Sequence, residues 1–137
     1  MVDFPDWSYL AYSFKEKNAL LNGVTPITVT ATNTTASTTY TNTTGKNAYL
    51  FDVMAGISTT SGNGYVKVEL YDDSDTLQAV IFYSRLKYST GATDTVFPYA
   101  SKHFDPPIVI PNDWYVIVTA SGSSATTYGT ITIMEEV

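Results

Sequence analysis

The chain has 137 residues, carries a formal net charge of −6 and contains no cysteine. A chain of this length builds one domain with its own core, and without cysteine it has no thiol catalysis, thiolate metal site or disulfide. Its acidic surface, with only 15% charged residues, repels phosphate backbones, so we expect no nucleic-acid groove, and no apolar run approaches the ~18 residues of a membrane span.

The first 23 residues differ from the rest because aromatic side chains crowd into MVDFPDWSYLAYSF. The helix-friendly KEKNALL follows, so the segment is compatible with a short helix or with an extended arm. We predict an N-terminal aromatic arm over residues 1–23 that docks either on the chain's own sandwich or on a neighbouring subunit. The segment lacks the basic start of a signal peptide, so we expect a complete chain made in a host cytoplasm. The interface candidates in this arm are Phe4, Trp7, Tyr9, Tyr12 and Phe14.

From Val24 onward the hydrophobic period is two, the period of a β-strand with one face on a core. Val66, Val68 and Leu70 alternate with more polar residues, which places Tyr65 and Tyr71 on the outward face. About eight such short strands, separated by turn residues, predict an all-β fold over residues 24–137, a single antiparallel β-sandwich of the jelly-roll type. Turns are predicted at residues 44–47, 61–64, 72–75, 90–91 and 121–123.

The stretch FDPPIVIPNDWYVIV predicts a sharp corner between two strands. Pro106 and Pro107 have no N–H to donate, so they mark the start of a strand or a sheet edge, and a very short strand, 108–110, follows. Pro111 then opens a turn in which Asn112 takes the positive φ of a type II turn. The next strand is apolar on both faces, so a segment of the same chain or another subunit covers its outer face. This adds three interface candidates: Trp114, Tyr115 and Ile117.

The sequence offers little chemistry for a catalytic or metal site. His103 shares a strand face with Ser101 and Asp105, so a His–Asp pair is conceivable, but a triad also needs an oxyanion hole and an aligned base. The acids of Asp72–Asp75 could bind Ca²⁺, although an ordinary polar turn explains them equally and the EF-hand spacing is absent. No nucleotide loop, zinc pattern or pair of glycosidase carboxylates is identifiable. We expect neither an enzyme nor a bound cofactor or metal.

Three motifs of the chain resemble those of small jelly-roll virion proteins of tailed bacterial and archaeal viruses. TTGKNAYLF at 43–51 is similar to a strand of that family, PIVIPNDWYV at 107–116 to its hairpin, and GTITIMEE at 129–136 to its acidic-ended last strand. Asn112 and Asp113 stand where the family has a small residue and a glycine. The resemblance covers about two-thirds of the chain, its motifs are short and mostly structural, and the family has no catalytic residues to carry over.

The resemblance implies a capsid decoration or stabilising protein that binds the shell exterior by protein–protein contacts. Its partner would be the major capsid protein or another virion protein. It would also bind further copies of itself, with a trimer favoured, and it would bind neither nucleic acid nor a membrane. Its location would be the capsid surface, after assembly in the host cytoplasm. The alternative from the residues is a carbohydrate-binding or adhesion module of a tail or fibre, because exposed tyrosines can stack on sugar rings. The tyrosines concerned are Tyr65, Tyr71, Tyr83 and Tyr88.

Deletion of residues 1–14 tests the aromatic arm. We expect the truncated protein to lose affinity for virus shells and to form smaller oligomers, because a few aromatic anchors carry most of the affinity of an interface. Co-sedimentation with shells and mass measurement in solution report the two effects. A truncated protein that binds and assembles like the full chain would show that the arm hypothesis is wrong.

Overall fold

The computed structural model describes residues 21–57, 62–87 and 99–137. These ranges form nine β-strands and contain no helix that is long and apolar enough to cross a membrane. The arm candidates Phe4 to Phe14, the turn predicted at 90–91 and Tyr88 lie outside the described residues. The strands are β1 (Leu21–Gly23), β2 (Ile27–Thr32), β3 (Thr35–Thr41), β4 (Ala48–Ile57), β5 (Asn63–Tyr71), β6 (Leu77–Lys87), β7 (Tyr99–Ile110), β8 (Tyr115–Ser123) and β9 (Thr126–Glu136).

The strands form two antiparallel sheets that pack face to face. One has the order β1-β9-β4-β7, with β2 also paired to β9, and the other has the order β3-β8-β5-β6. β1 and β2 pair with successive parts of β9, so they form two halves of one edge strand, and β1 comprises the last three residues of the predicted arm. From β2 onward every connection between consecutive strands crosses from one sheet to the other, except the turn of the β5–β6 hairpin. This strand order is that of a jelly roll, which confirms the predicted fold class.

The core lies between the sheets and follows the predicted alternation. Val66, Val68 and Leu70 of β5 are buried, and so are Val116 and Val118 of β8. Their sequence neighbours point to the outer faces, because successive side chains of a strand alternate. β4, β7 and β9 supply the largest buried side chains of the other sheet, which are Leu50, Ile110, Ile131 and Ile133.

The strand that carries the prolines is longer than predicted. Ile108–Ile110 are the end of β7, a strand of twelve residues, and do not form a separate short strand. β7 is an edge strand, as the prolines indicated. Its register with β4 jumps between the pairs Leu50–Ile108 and Asp52–His103. Pro106 and Pro107 fall in this irregularity, where no ladder hydrogen bond is required of them.

The turn after β7 lies one residue later than predicted. The Trp114 N–H donates to the Pro111 carbonyl at 3.1 Å, and the positive φ, 69°, belongs to Asp113 and not to Asn112. The cause is tertiary, because the Asn112 side chain accepts a hydrogen bond from the Gly45 N–H at 2.7 Å. Two other turns also differ from expectation. Residues 121–123, where a turn was predicted, belong to β8, and the positive φ falls on Ser124. A turn that was not predicted, at Asn33, separates β2 from β3.

Asn42 is fully buried and joins the two sheets at this end of the sandwich. Its Nδ2 donates to the carbonyls of Lys46 and Ile110, both at 2.8 Å. Its Oδ1 accepts hydrogen bonds from the N–H and the hydroxyl of Thr44 at 3.1 and 2.7 Å. Its backbone N–H donates to the Trp114 carbonyl at 3.0 Å. One side chain therefore connects the end of β3, the β3–β4 loop and the end of β7.

Tyr40 adds a second polar link between the sheets. Its hydroxyl donates to Oε1 of Glu135, on β9, at 2.7 Å. Burial, and then the hydrogen bond to Glu135, raises the pKa of Tyr40, so the phenol stays protonated and remains a donor.

Replacement of Asn42 tests this connection. We expect Asn42→Ala to lower the free energy of unfolding by about 2–4 kcal/mol, because two carbonyls and two donors lose a buried partner. Chemical denaturation measures the change. Asn22→Ala, at an exposed position of β1, is the matched control and should stay within about 0.5 kcal/mol of the parent. Equal stabilities of the two variants would contradict the role given to Asn42.

Candidate interaction surface

The outer face of the β3-β8-β5-β6 sheet is the surface that carries most of the predicted candidates in the described ranges. We call it the tyrosine face. Its side chains alternate with the buried residues of β5 and β8, and the strand register places them side by side. No strand of the described ranges packs over it. Its members include Tyr65, Lys67, Glu69 and Tyr71 of β5, Leu77, Val80, Tyr83 and Arg85 of β6, and Tyr115 and Ile117 of β8.

Two tyrosines form a fixed stack at one end of this face. Tyr71 and Tyr115 are direct cross-strand partners, and their ring centroids lie 5.1 Å apart with an angle of 5° between the planes. The Tyr115 hydroxyl donates to Oδ1 of Asp75 in the β5–β6 turn at 2.9 Å. Desolvation, followed by this hydrogen bond, raises the pKa of Tyr115. The rings are thus held in place before any partner arrives.

Three aliphatic side chains extend the stack into an apolar patch. Leu77 is opposite Tyr71 and is 45% exposed, and Val80, one row further, is 53% exposed. Ile117 is half-buried in the same row as Val80, with Glu69 between them. We call these five residues, Tyr71, Leu77, Val80, Tyr115 and Ile117, the apolar end. Exposed apolar side chains grouped in this way are typical of a contact with another molecule.

The opposite end of the tyrosine face has a different chemistry. Tyr65 lies six residues before Tyr71 on the same strand, about 20 Å away at the rise of an extended chain. Its ring stacks on that of Tyr83 with centroids 5.6 Å apart and an angle of 21°. The Lys67–Glu69 ion pair, 3.2 Å between Nζ and Oε1, lies between the two ends. We call the region around Tyr65 and Tyr83 the basic end, because Arg85 and Lys87 border it.

The structure separates the three candidates that the sequence grouped at the start of β8. Tyr115 and Ile117 point outward to the tyrosine face, whereas Trp114 packs against the core from the inner side. Their places in an interface stay predictions. Leu77 and Val80 were not among the candidates, because two register shifts between β5 and β6 break the period-two pattern of β6. Only the cross-strand pairing identifies their face.

His103 pairs with an aspartate of the neighbouring strand. Its Nδ1 lies 2.6 Å from Oδ1 of Asp52, its cross-strand partner on β4, and not beside Asp105, the partner that the sequence made conceivable. Directly opposite residues of neighbouring strands have Cβ atoms about 5 Å apart, closer than residues i and i+2 of one strand. Ser101 lies two residues before His103, opposite Met54, and among the described residues it makes no hydrogen bond with the imidazole. The pair bridges two strands at the bulge.

The acidic turn at 72–75 uses its oxygen atoms within the turn. Oδ1 of Asp72 accepts hydrogen bonds from the N–H groups of Ser74 and Thr76, both at 2.9 Å. Its Oδ2 accepts one from the Gln78 amide at 2.7 Å. The hydrogen bond from Thr76 is the main cause that lowers the pKa of Asp72. These contacts favour the polar-turn interpretation, and the described ranges hold no cluster of three or more His, Cys, Asp or Glu ligands.

Comparison with known proteins finds likeness in structure only. No family model matches the chain, and no curated protein matches its sequence. The structure of the infectious bursal disease virus Gx strain is similar at 9% identity and a TM-score of 0.37, over 85% of this chain and 32% of that chain. The VP2 subviral particle of that virus is similar at 10% identity and a TM-score of 0.38, over 83% and 34%. The chain therefore spans about a third of each of these chains, and likeness of this degree carries no inference about function.

A double-mutant cycle tests whether the Tyr71–Tyr115 stack is preformed. We expect Tyr71→Ala and Tyr115→Ala to couple by roughly 0.5–1.5 kcal/mol in the free energy of unfolding, the range for aromatic pairs. The control cycle combines Tyr71→Ala with Tyr83→Ala, which lie at opposite ends of the face and should be additive within about 0.5 kcal/mol. Additivity in both cycles would mean that the stack is not a preformed contact.

Proposed function

We propose that this chain is a virion structural protein of the capsid decoration type, which binds the exterior of a shell as a homo-oligomer. The observation that carries the proposal is the apolar end of the tyrosine face. It is a preformed apolar surface on a jelly-roll sheet, and no described strand covers it. The sequence resemblance to small jelly-roll virion proteins supports the same role.

The fold agrees with this role without deciding it. Jelly rolls serve as viral capsid domains and as lectin domains, so the choice between these functions has to be argued from the chemistry of the surface. At the apolar end the tyrosine rings pack on each other, with Leu77 and Val80 beside them. The aliphatic side chains beside the rings distinguish this end and favour a protein partner, because aromatic anchors with an apolar surround are typical of interface centres.

The mechanism is a clamp that adds apolar contact across the joints between shell subunits. The stacked rings are already ordered, so binding costs little side-chain entropy at this point. We place a second copy of the chain, in a trimer, or the major capsid protein on this surface, with the aromatic arm fastening the assembly. Its location is the capsid surface, after assembly in the host cytoplasm.

Charge placed in the apolar end tests the proposal. We expect the double variant Leu77→Glu, Val80→Glu to weaken self-association and shell binding at least about tenfold, because an unpaired carboxylate would be buried at the contact. Sedimentation equilibrium measures the oligomer, and co-sedimentation measures shell binding. Thr28→Glu, Thr30→Glu, at two exposed positions of the other sheet, is the matched control that adds the same charge elsewhere.

Thermal unfolding of each variant shows whether the fold is kept. A folded Leu77→Glu, Val80→Glu protein with unchanged mass and shell binding would contradict the role of the apolar end. Absence of the chain from native particles, measured by labelling of intact virions, would contradict the virion role itself.

A further inference from the structure

The basic end of the tyrosine face holds a cleft of about 440 Å³. This volume falls within the usual range for small-molecule sites. β5, β6 and β8 each contribute to its lining, and register places these residues in neighbouring rows. The side chains that matter for binding are Asn63, Tyr65, Tyr83, Arg85, Lys87 and Ser121.

The floor of the cleft is tightly packed backbone. Gly64 lies in the floor, and a Cβ at this position would lie 2.2 Å from Oγ1 of Thr127 and 2.4 Å from the Ser121 carbonyl. Only glycine fits there without displacing a strand. Leu86, its partner on β6, is 3% exposed and anchors the floor in the core. The cleft is therefore held by the sheet and not by a loop.

Two tyrosines supply aromatic surface beside the cleft. The Tyr65 and Tyr83 rings stack with centroids 5.6 Å apart, and Tyr83 remains 50% exposed. A tyrosine combines an apolar ring face with a polar hydroxyl. This combination suits a sugar ring, which presents C–H groups on one face and hydroxyls at its rim.

The charges around the cleft favour an anion. Arg85 is opposite Tyr65, and Lys87 is opposite Asn63. The described lining contains no Asp or Glu, although the chain as a whole carries a net charge of −6. Within the described residues Arg85 makes one hydrogen bond, from Nε to the Tyr83 hydroxyl at 3.4 Å. Its terminal nitrogens thus keep the forked geometry that binds a carboxylate through two parallel hydrogen bonds.

Neutral polar groups complete the site. Oγ of Ser121 accepts a hydrogen bond from the Thr35 hydroxyl at 2.9 Å, which leaves the proton of Ser121 available as a donor. Asn63 supplies an amide, and Ser123 a second hydroxyl on β8. These groups match the hydroxyls of a sugar better than the bare oxygens of a phosphate.

We infer that this cleft binds a pyranose that carries a carboxylate, with the sugar ring on Tyr83 and the carboxylate on Arg85. The site is distinct from the apolar end. Arg85, in the row of Tyr65, lies about 20 Å from Tyr71 along the sheet. Tyr83, in the row of Lys67, lies one outward row from Val80. Acidic-sugar binding therefore adds a receptor or glycan contact to the shell-binding role and does not depend on it.

Calorimetric titration of the full chain with glucuronic acid tests the inference. We expect saturable binding that is about tenfold or more tighter than for glucose, because a bidentate carboxylate–arginine contact contributes at least that factor. Acetate and inorganic phosphate are the comparison ligands. Both should bind more weakly than glucuronic acid, because neither can use the tyrosine surface.

Variants separate the two parts of the site. Arg85→Gln should remove the preference for glucuronic acid over glucose, and Tyr83→Ala should weaken both sugars. Lys102→Gln and Tyr99→Ala, which remove a cation and an exposed tyrosine from the other sheet, should leave binding unchanged. Arg85, Lys102 and Tyr99 lie away from the apolar end, so oligomer mass should stay as in the parent for Arg85→Gln and for the two control variants.

Three results would overturn the inference. They are equal affinity for glucose and glucuronic acid, binding of acetate or phosphate as tight as that of the acidic sugar, and an absence of heat or saturation with every sugar. In each case the result for shell binding and self-association stands separately, since those measurements depend on the apolar end.

Discussion

The buried amide of Asn42 is the constraint on which the candidate surface depends. It connects the end of β3 with the carbonyl of Ile110 at the end of β7, and its backbone holds Trp114 at the start of β8. The register of β8 begins at this point, with Tyr115 opposite Thr41. A slip of one residue would turn Tyr115 and Ile117 into the core and Val116 out of it, because alternate side chains face opposite sides. A fully hydrogen-bonded polar group in the core thus decides which residues reach the tyrosine face.

The tyrosine face combines two chemistries on one rigid support. Its apolar end offers stacked rings and aliphatic side chains, and its basic end offers a cleft bordered by Arg85 and Lys87. Lys67 and Glu69 lie between the two ends on β5, and they form an ion pair in which the two charges balance each other. A chain with so few charges concentrates two of its seven cations at one end of one sheet.

Much of the fold was predictable because its signal is local. The alternation around Val66 and Val68 indicated the core side of β5, and it also placed Tyr65 and Tyr71 outside. The candidate surface was predictable only in part. The register shifts beside Glu69 and Tyr71 break the pattern in β6, so Val80 could not be assigned to a face. His103 pairs with a residue 51 positions away, which no local pattern encodes.

The sequence by itself determined an all-β sandwich and the inward faces of its main strands, since a period of two needs only neighbouring residues. It also determined that the chain has no thiol chemistry. The tertiary structure alone decided that Asp113, not Asn112, takes the positive φ, that Tyr71 stacks on Tyr115, and that Tyr83 and Arg85 border one cleft. The physical reason is the same in each case: these contacts join strands that are distant in the chain, and only the strand register brings them together.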